Sequence, residues 1–249
     1  MVQRVRIRYA KRGRLRFTSH RDFARAFERA IRRAGVPIAF SQGFNPHPKI
    51  SYASAAPTGV ASEAEYLELA LQAEVEPEQL RLALDASLSD GLDVLDAVIA
   101  VAPGGLPDRI DASRWRIELP GVPDDDARTA VAAFHAAPEI LVDRLTKQGR
   151  RTFDARGAVA LIEVAGPDRV GSDLPSGAGD HLCAILDLVV RQVTPAVRPD
   201  DVLSGLRVVA DLTPPAPPRV TRLAQGSLTA QGDIVDPLEA DRGTPIGDR

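Results

Sequence analysis

Val2-Gln3-Arg4-Val5-Arg6-Ile7-Arg8-Tyr9 sets Arg4, Arg6 and Arg8 against Val5, Ile7 and Tyr9 with a period of two. That is the pattern of a strand with one buried and one basic face. Lys11-Arg12-Gly13-Arg14 follows as a basic turn. Ser19, with Asp22 three positions on, resembles a capping box and predicts a helix to about residue 34. In it Phe23, Phe27, Ala30, Ile31 and Ala34 form a continuous apolar stripe, while Arg21, Arg25, Arg29, Arg32 and Arg33 lie mostly on other faces.

Gly35 stops that helix, and residues 36–40 and 50–55 read as a strand broken by an inserted loop. Residues 66–71 predict the next strand, 77–88 a second helix and 92–101 a fourth strand. The order is β-α-β-β-α-β, so the expected fold class is α+β, with a ferredoxin-like four-stranded antiparallel sheet and both helices on one face. This first domain covers residues 1–102. Pro103-Gly104-Gly105-Leu106-Pro107 marks a linker over 103–111.

Residues 112–212 read as a second, degenerate ferredoxin-like domain. Its strands are expected at 115–119, 140–146, 182–190 and 206–212, and its helices at 124–135 and 199–203. Residues 154–164 and the Gly/Pro/Ser-rich 166–180 read as an insertion and a loop. Residues 213–249 hold Pro214, Pro215, Pro217 and Pro218 with few large apolar residues and are expected to form a disordered tail.

The loop in the first domain is Ser41-Gln42-Gly43-Phe44-Asn45-Pro46-His47-Pro48-Lys49. Pro46 and Pro48 fix their own φ and bias Asn45 and His47 towards extended backbone, so His47 is expected on a stiff support. Gly43 lets the chain turn or a ligand approach closely.

At 249 residues and 44% hydrophobic content the chain has ample material for buried cores. No apolar run reaches bilayer-spanning length and residues 1–6 lack a signal-peptide core, so the expectation is a cytoplasmic protein with no membrane partner. Cys183 is the sole cysteine, which excludes an internal disulfide and multi-cysteine zinc or iron–sulfur sites within this chain. The net charge of −3 conceals polarity: residues 1–50 hold thirteen Lys and Arg against Asp22 and Glu28, net +11, leaving −14 for the remainder. Such an excess predicts an electropositive surface for a polyanion, RNA before membrane. The competing reading is a basic face neutralised by the acidic remainder of the same chain.

The residues assigned to the ligand are Arg4, Arg6, Arg8, Arg14, Arg25, Arg29 and Lys49 on the phosphate side, Asn45 and His47 for selectivity, and Gly43 and Phe44 in the same loop. Phe44 and Tyr52 are candidates for stacking on bases, Phe44 the better one. His20 and His47, with Lys49, are the catalytic candidates if the chain cleaves RNA: a neutral histidine acts as general base on a ribose hydroxyl and a cation stabilises the transition state. Glu63 and Glu65 lack a zinc-ligand spacing and are read as shaping a turn, so no metal is expected. No phosphate loop, dinucleotide fingerprint or nucleophile elbow is present, and no cofactor is expected.

Arg16-Phe17-Thr18-Ser19-His20-Arg21-Asp22, Arg29-Ala30-Ile31-Arg32-Arg33-Ala34-Gly35, the 41–49 loop and Pro57-Thr58-Gly59 with Ser62-Glu63 and Glu65 resemble the radical-SAM-linked protein family. Phe153-Asp154-Ala155-Arg156 resembles that family's Asp-x-Arg element, and the resemblance covers nearly all of the first half of the chain. Arg21 replaces the leucine that commonly follows the motif histidine, and Ala56 and Thr58 replace leucines beside the proline. The family is a domain of unknown function, fused behind a cobalamin-type radical-SAM module or found as a separate protein. Lacking a Cys-x3-Cys-x2-Cys triplet, this chain cannot hold the radical-SAM cluster, so the resemblance implies an accessory or substrate-recognition module. Genes for the separate form tend to lie near ribonuclease E/G-type genes, which implies a radical-SAM or ribonuclease E/G-type partner and a link to RNA. Fold analogy extends to CRISPR repeat-processing endoribonucleases. The expectation is therefore an RNA-binding or RNA-presenting accessory protein that is not an enzyme on its own. The alternatives are a metal-independent RNA-processing enzyme and a protein–protein adaptor.

Overall fold

A computed structural model describes residues 1–146, 149–166 and 182–242. It is a mixed α+β structure with a mostly sheet core and, among the described residues, five α-helices. The chain divides into two compact units. The first takes Met1–Ile110, Ala224–Ser227 and the segment from Val235 on; the second takes Asp111–Leu223 and Leu228–Ile234.

The first unit contains β1 (Gln3–Lys11), α1 (His20–Arg33), β2 (Ile50–Ala53), β3 (Ala61–Leu71), α2 (Pro77–Asp85) and β4 (Leu92–Ile99). The strands lie in the order β4-β1-β3-β2, and each neighbouring pair is antiparallel. The period-two pattern of β1 sends Val5, Ile7 and Tyr9 into a core with Phe23, Phe27 and Ile31 of α1 and Leu80 and Leu84 of α2. Both helices therefore cover the same face. Ser19 caps α1 by accepting from the Asp22 amide at 3.2 Å, and Gly35 ends it at φ +63°, a left-handed geometry that glycine adopts without strain.

Residues 36–40 do not form the regular strand expected of them. Only Ile38 and Phe40 make isolated bridges, to Leu71 and Pro48, because Pro37 and Pro48 cannot donate to a ladder. The 103–111 segment does more than link. Gly104 O accepts from Arg6 at 2.6 Å, and Leu106 is buried with Ile110 and Leu238.

The second unit contains β5 (Ala112–Pro120), α3 (Asp124–Ala136), β6 (Leu141–Thr146), β7 (Gly149–Asp154), β8 (Val159–Val164), β9 (Cys183–Arg191) and α4 (Pro199–Ala210). β5, β9 and β8 form an antiparallel sheet in that order, and β6 and β7 form a separate hairpin. Two expectations fail here. Residues 206–212 are not a strand but the end of α4 and its exit: Val202, Gly205 and Leu206 are buried at helical spacing while Val208 is exposed. Residues 154–164 are not a bare insertion, since they contain β8. The loop expected at 166–180 lies almost wholly outside the described residues, and Cys183 is half-buried at the start of β9.

The expected tail is also corrected for residues 213–242. They form β10 (Arg219–Leu228), β11 (Ile234–Val235) and α5 (Glu239–Arg242), while 243–249 lie outside the described residues. Buried polar groups order this segment in place of a run of large apolar ones. Arg222 and Gln225 are buried within β10, and Leu238 and Asp241 are buried in the first unit.

Candidate nucleic-acid interface

The 41–49 loop is closed at its base by backbone bonds. Ser41 N donates to His47 O at 2.8 Å, Lys49 N to Ala39 O at 2.8 Å and Ile50 N to Pro48 O at 3.0 Å. Ser41 Oγ accepts from the His47 amide at 2.9 Å. Ala39 N and Lys49 O both bond Ala70, which fastens the two legs to β3. Above this base the chain turns through Gly43 at φ +129°, and Gly43, Phe44, Asn45, Pro46 and His47 are all exposed. Phe44 is fully exposed, its ring packed on nothing among the described residues.

Both legs of the loop are tied to α1. Val36 N donates to Ile31 O at 3.1 Å on the way in. On the way out Tyr52 of β2 meets His20 edge-on, with ring centroids 5.1 Å apart, and Phe23 at 5.7 Å. Tyr52 is thus a packing residue rather than a stacking platform. Burial pushes its phenol pKa up, and the buried hydroxyl has no hydrogen-bond partner among the described residues.

The solvent face of α1 carries Arg21, Arg25, Arg29, Arg32 and Arg33 opposite the buried Phe23, Phe27, Ala30 and Ile31. Among the described residues none of these arginines, nor Arg14 or Lys49, meets a carboxylate in an ion pair. Arg32 and Arg33 donate to the backbone carbonyls of Glu28 and Ser87. Just before the helix, the Arg16 guanidinium lies 4.7 Å from the centroid of the exposed Phe17 ring. Arg21, Arg32 and Arg33 were not among the assigned ligand residues, although the four-residue spacing 21-25-29-33 is present in the sequence.

The β1 arginines are different: the assignment of Arg6 to phosphates is corrected, while Arg4 and Arg8, though partly exposed, are held in ion pairs. Arg6 is fully buried and donates to Glu68 at 2.9 Å and Asp241 at 2.7 Å. Arg4 pairs with Glu68 at 3.3 Å, and Arg8 pairs with Asp236 at 3.4 Å while donating to Glu63 O at 2.8 Å. This face is neutralised within its own unit, as the competing reading of the charge had it for the whole. A polyanion meets no free cation at Arg6.

The acidic residues after the 57–59 turn have structural partners. Glu63 pairs with Arg12, and Glu65 is buried and accepts from the Ala56 amide at 3.0 Å. Asp154 of the Asp-x-Arg element organises a turn by accepting from the amides of Ile140, Arg156 and Gly157 at 2.8–3.0 Å. Burial opposes its ionisation, but those amides hold its pKa below the usual carboxylate range. Among the described residues no hydrogen bond joins His20 to His47, and no His/Cys/Asp/Glu group has the arrangement of a metal site. No helix among them is long and apolar enough to cross a membrane.

No curated protein matches the chain. The family model described as "Uncharacterized protein conserved in bacteria (DUF2344)" matches residues 4–199, which include α1, the loop and most of the second unit, and the chain belongs to that family.

Proposed function

We propose that this chain is an RNA-binding or RNA-presenting accessory protein built from two ferredoxin-like units, acting beside a radical-SAM or ribonuclease E/G-type partner. The order β4-β1-β3-β2 with α1 and α2 on one face supports the first ferredoxin-like unit. In the second, the part of β10 that belongs to that unit serves as fourth strand beside β5, giving β10-β5-β9-β8. The observation that carries the function is the row of exposed arginines on α1, which form no ion pair among the described residues, on the helix that leads into a closed loop holding Phe44, Asn45 and His47 in solvent. Unpaired cations in a row attract a phosphate backbone, and an exposed aromatic offers a base a stacking surface.

Fluorescence anisotropy of a labelled RNA at low salt, wild type against Arg25→Glu/Arg29→Glu, tests this. The double reversal is expected to weaken binding about tenfold or more, since it removes two phosphate contacts and adds repulsion. Both side chains are exposed, so folding stability should move by no more than about 0.5 kcal/mol. Absence of binding even at low salt, or equal binding by both proteins, ends the proposal.

A further inference from the structure

We infer that the RNA held by this surface is single-stranded, with its backbone along α1 and an unpaired base stacked on Phe44. This rests on the RNA-binding reading above and adds the class of substrate. Three observations lead to it.

The first is the state of Phe44. Its ring is fully exposed, yet the loop that carries it is fastened at the base by hydrogen bonds to β3 and across its own legs. An ordered loop that presents an unpacked aromatic offers a flat apolar surface of about the size of a base. In a duplex each base is stacked on both faces, and the deep, narrow major groove of A-form RNA does not admit side chains. Only an unpaired, splayed base has a free face for this ring.

The second is the arrangement of the cations. Arg21, Arg25, Arg29 and Arg33 recur every four residues on α1, a rise of about 6 Å per step, close to the separation of neighbouring phosphates along one strand. They make one row. A duplex presents two phosphate rows across a groove, and the other basic strand face of this unit is closed by Glu68, Asp236 and Asp241.

The third is how the two features are joined. The loop leaves the last turn of α1 through Gly35 and Val36 and returns through Tyr52, which packs on His20 and Phe23 of the same helix. A single strand that follows the arginine row and continues onto the loop this helix leads into reaches Phe44. Asn45 and His47, exposed next to Phe44, supply hydrogen-bonding groups for a base edge.

The test uses one labelled RNA oligonucleotide, alone and annealed to its complement, with wild type, Phe44→Ala and Arg25→Glu/Arg29→Glu. A suspension of anionic phospholipid vesicles serves as a third ligand. Wild type is expected to bind the single strand about tenfold tighter than the duplex. Phe44→Ala should lose about tenfold on the single strand and nothing on the duplex, in line with the stacking of one base. The arginine variant should weaken on both. Equal or tighter duplex binding, or an unchanged single-strand affinity for Phe44→Ala, overturns this inference. If the arginine variant is still impaired, the RNA-binding reading survives it. Vesicle binding without RNA binding overturns both.

Discussion

Asp241→Ala should lower folding stability by about 3–5 kcal/mol, because it leaves a buried guanidinium without its principal counter-charge. Asp241 is completely buried and receives Arg6 at 2.7 Å, Arg109 at 2.7 Å and the amides of Val101 and Ala102 at 3.0 and 2.8 Å. Arg6, equally buried, retains only Glu68 and the carbonyls of Ala102 and Gly104 once the carboxylate is gone. Burial raises the pKa of Asp241, but the Ala102 amide and the guanidinium groups of Arg6 and Arg109 outweigh it and hold the value below the ordinary range. A carboxyl whose pKa is lower in the folded state stabilises above its unfolded value of about 3.9, and the gain disappears as pH falls through the folded value. The deficit of Asp241→Ala relative to wild type should therefore be full at pH 7 and shrink only below about pH 4. Urea denaturation of both proteins at pH 7 and below pH 4 measures this. Coincident midpoints at pH 7 would show that α5 contributes nothing to the first unit.

Gly121→Ala should cost about 2–4 kcal/mol, combining left-handed backbone strain with overpacking. Gly121 turns the chain from β5 towards α3 at φ +79°, and a β-carbon there would overlap Pro215 Cγ. The proline ring cannot swing aside as a flexible side chain can. The two effects separate in a double-mutant cycle: Pro215→Ala placed in the Gly121→Ala background should restore the steric part and leave the backbone part. Thermal unfolding reads both. A melting temperature for Gly121→Ala equal to that of wild type would mean that residues around Pro215 do not pack on this turn.

These two sites also show where the sequence was legible and where it was not. Val5, Ile7 and Tyr9 at period two, and Phe23, Phe27 and Ile31 at helical spacing, state directly which side of β1 and α1 is buried, because local periodicity and the core agree there. Alternation does not say what covers the other face of β1. Asp236 and Asp241 do so, and they lie more than 220 positions away in sequence, in a segment whose prolines mark it as disordered on composition alone. β10 was hidden for a related reason. Its buried Arg222 and Gln225 break the apolar alternation that reveals a half-buried strand, and the Arg222 guanidinium, 5.3 Å from the Trp115 ring centroid, takes the place an apolar side chain would hold.

In the candidate interface the loop was legible from Pro46, Pro48 and Gly43, and its exposure follows from the polar residues around Phe44. Dividing the basic residues between used and available cations was not legible. Arg6 and Arg25 look alike in sequence, yet one is buried between two carboxylates and the other, exposed, forms no ion pair among the described residues. Only the fold separates a neutralised face from a free one.

The salt dependence of RNA affinity tests the central claim most directly, because it counts the phosphates that the arginine row engages. With Arg21, Arg25, Arg29 and Arg33 each meeting one phosphate of a single strand, a plot of log affinity against log salt concentration should have a slope of about −3. For Arg25→Glu/Arg29→Glu it should flatten to about −1.5. A wild-type slope near zero, or the same slope in wild type and variant, would contradict the account.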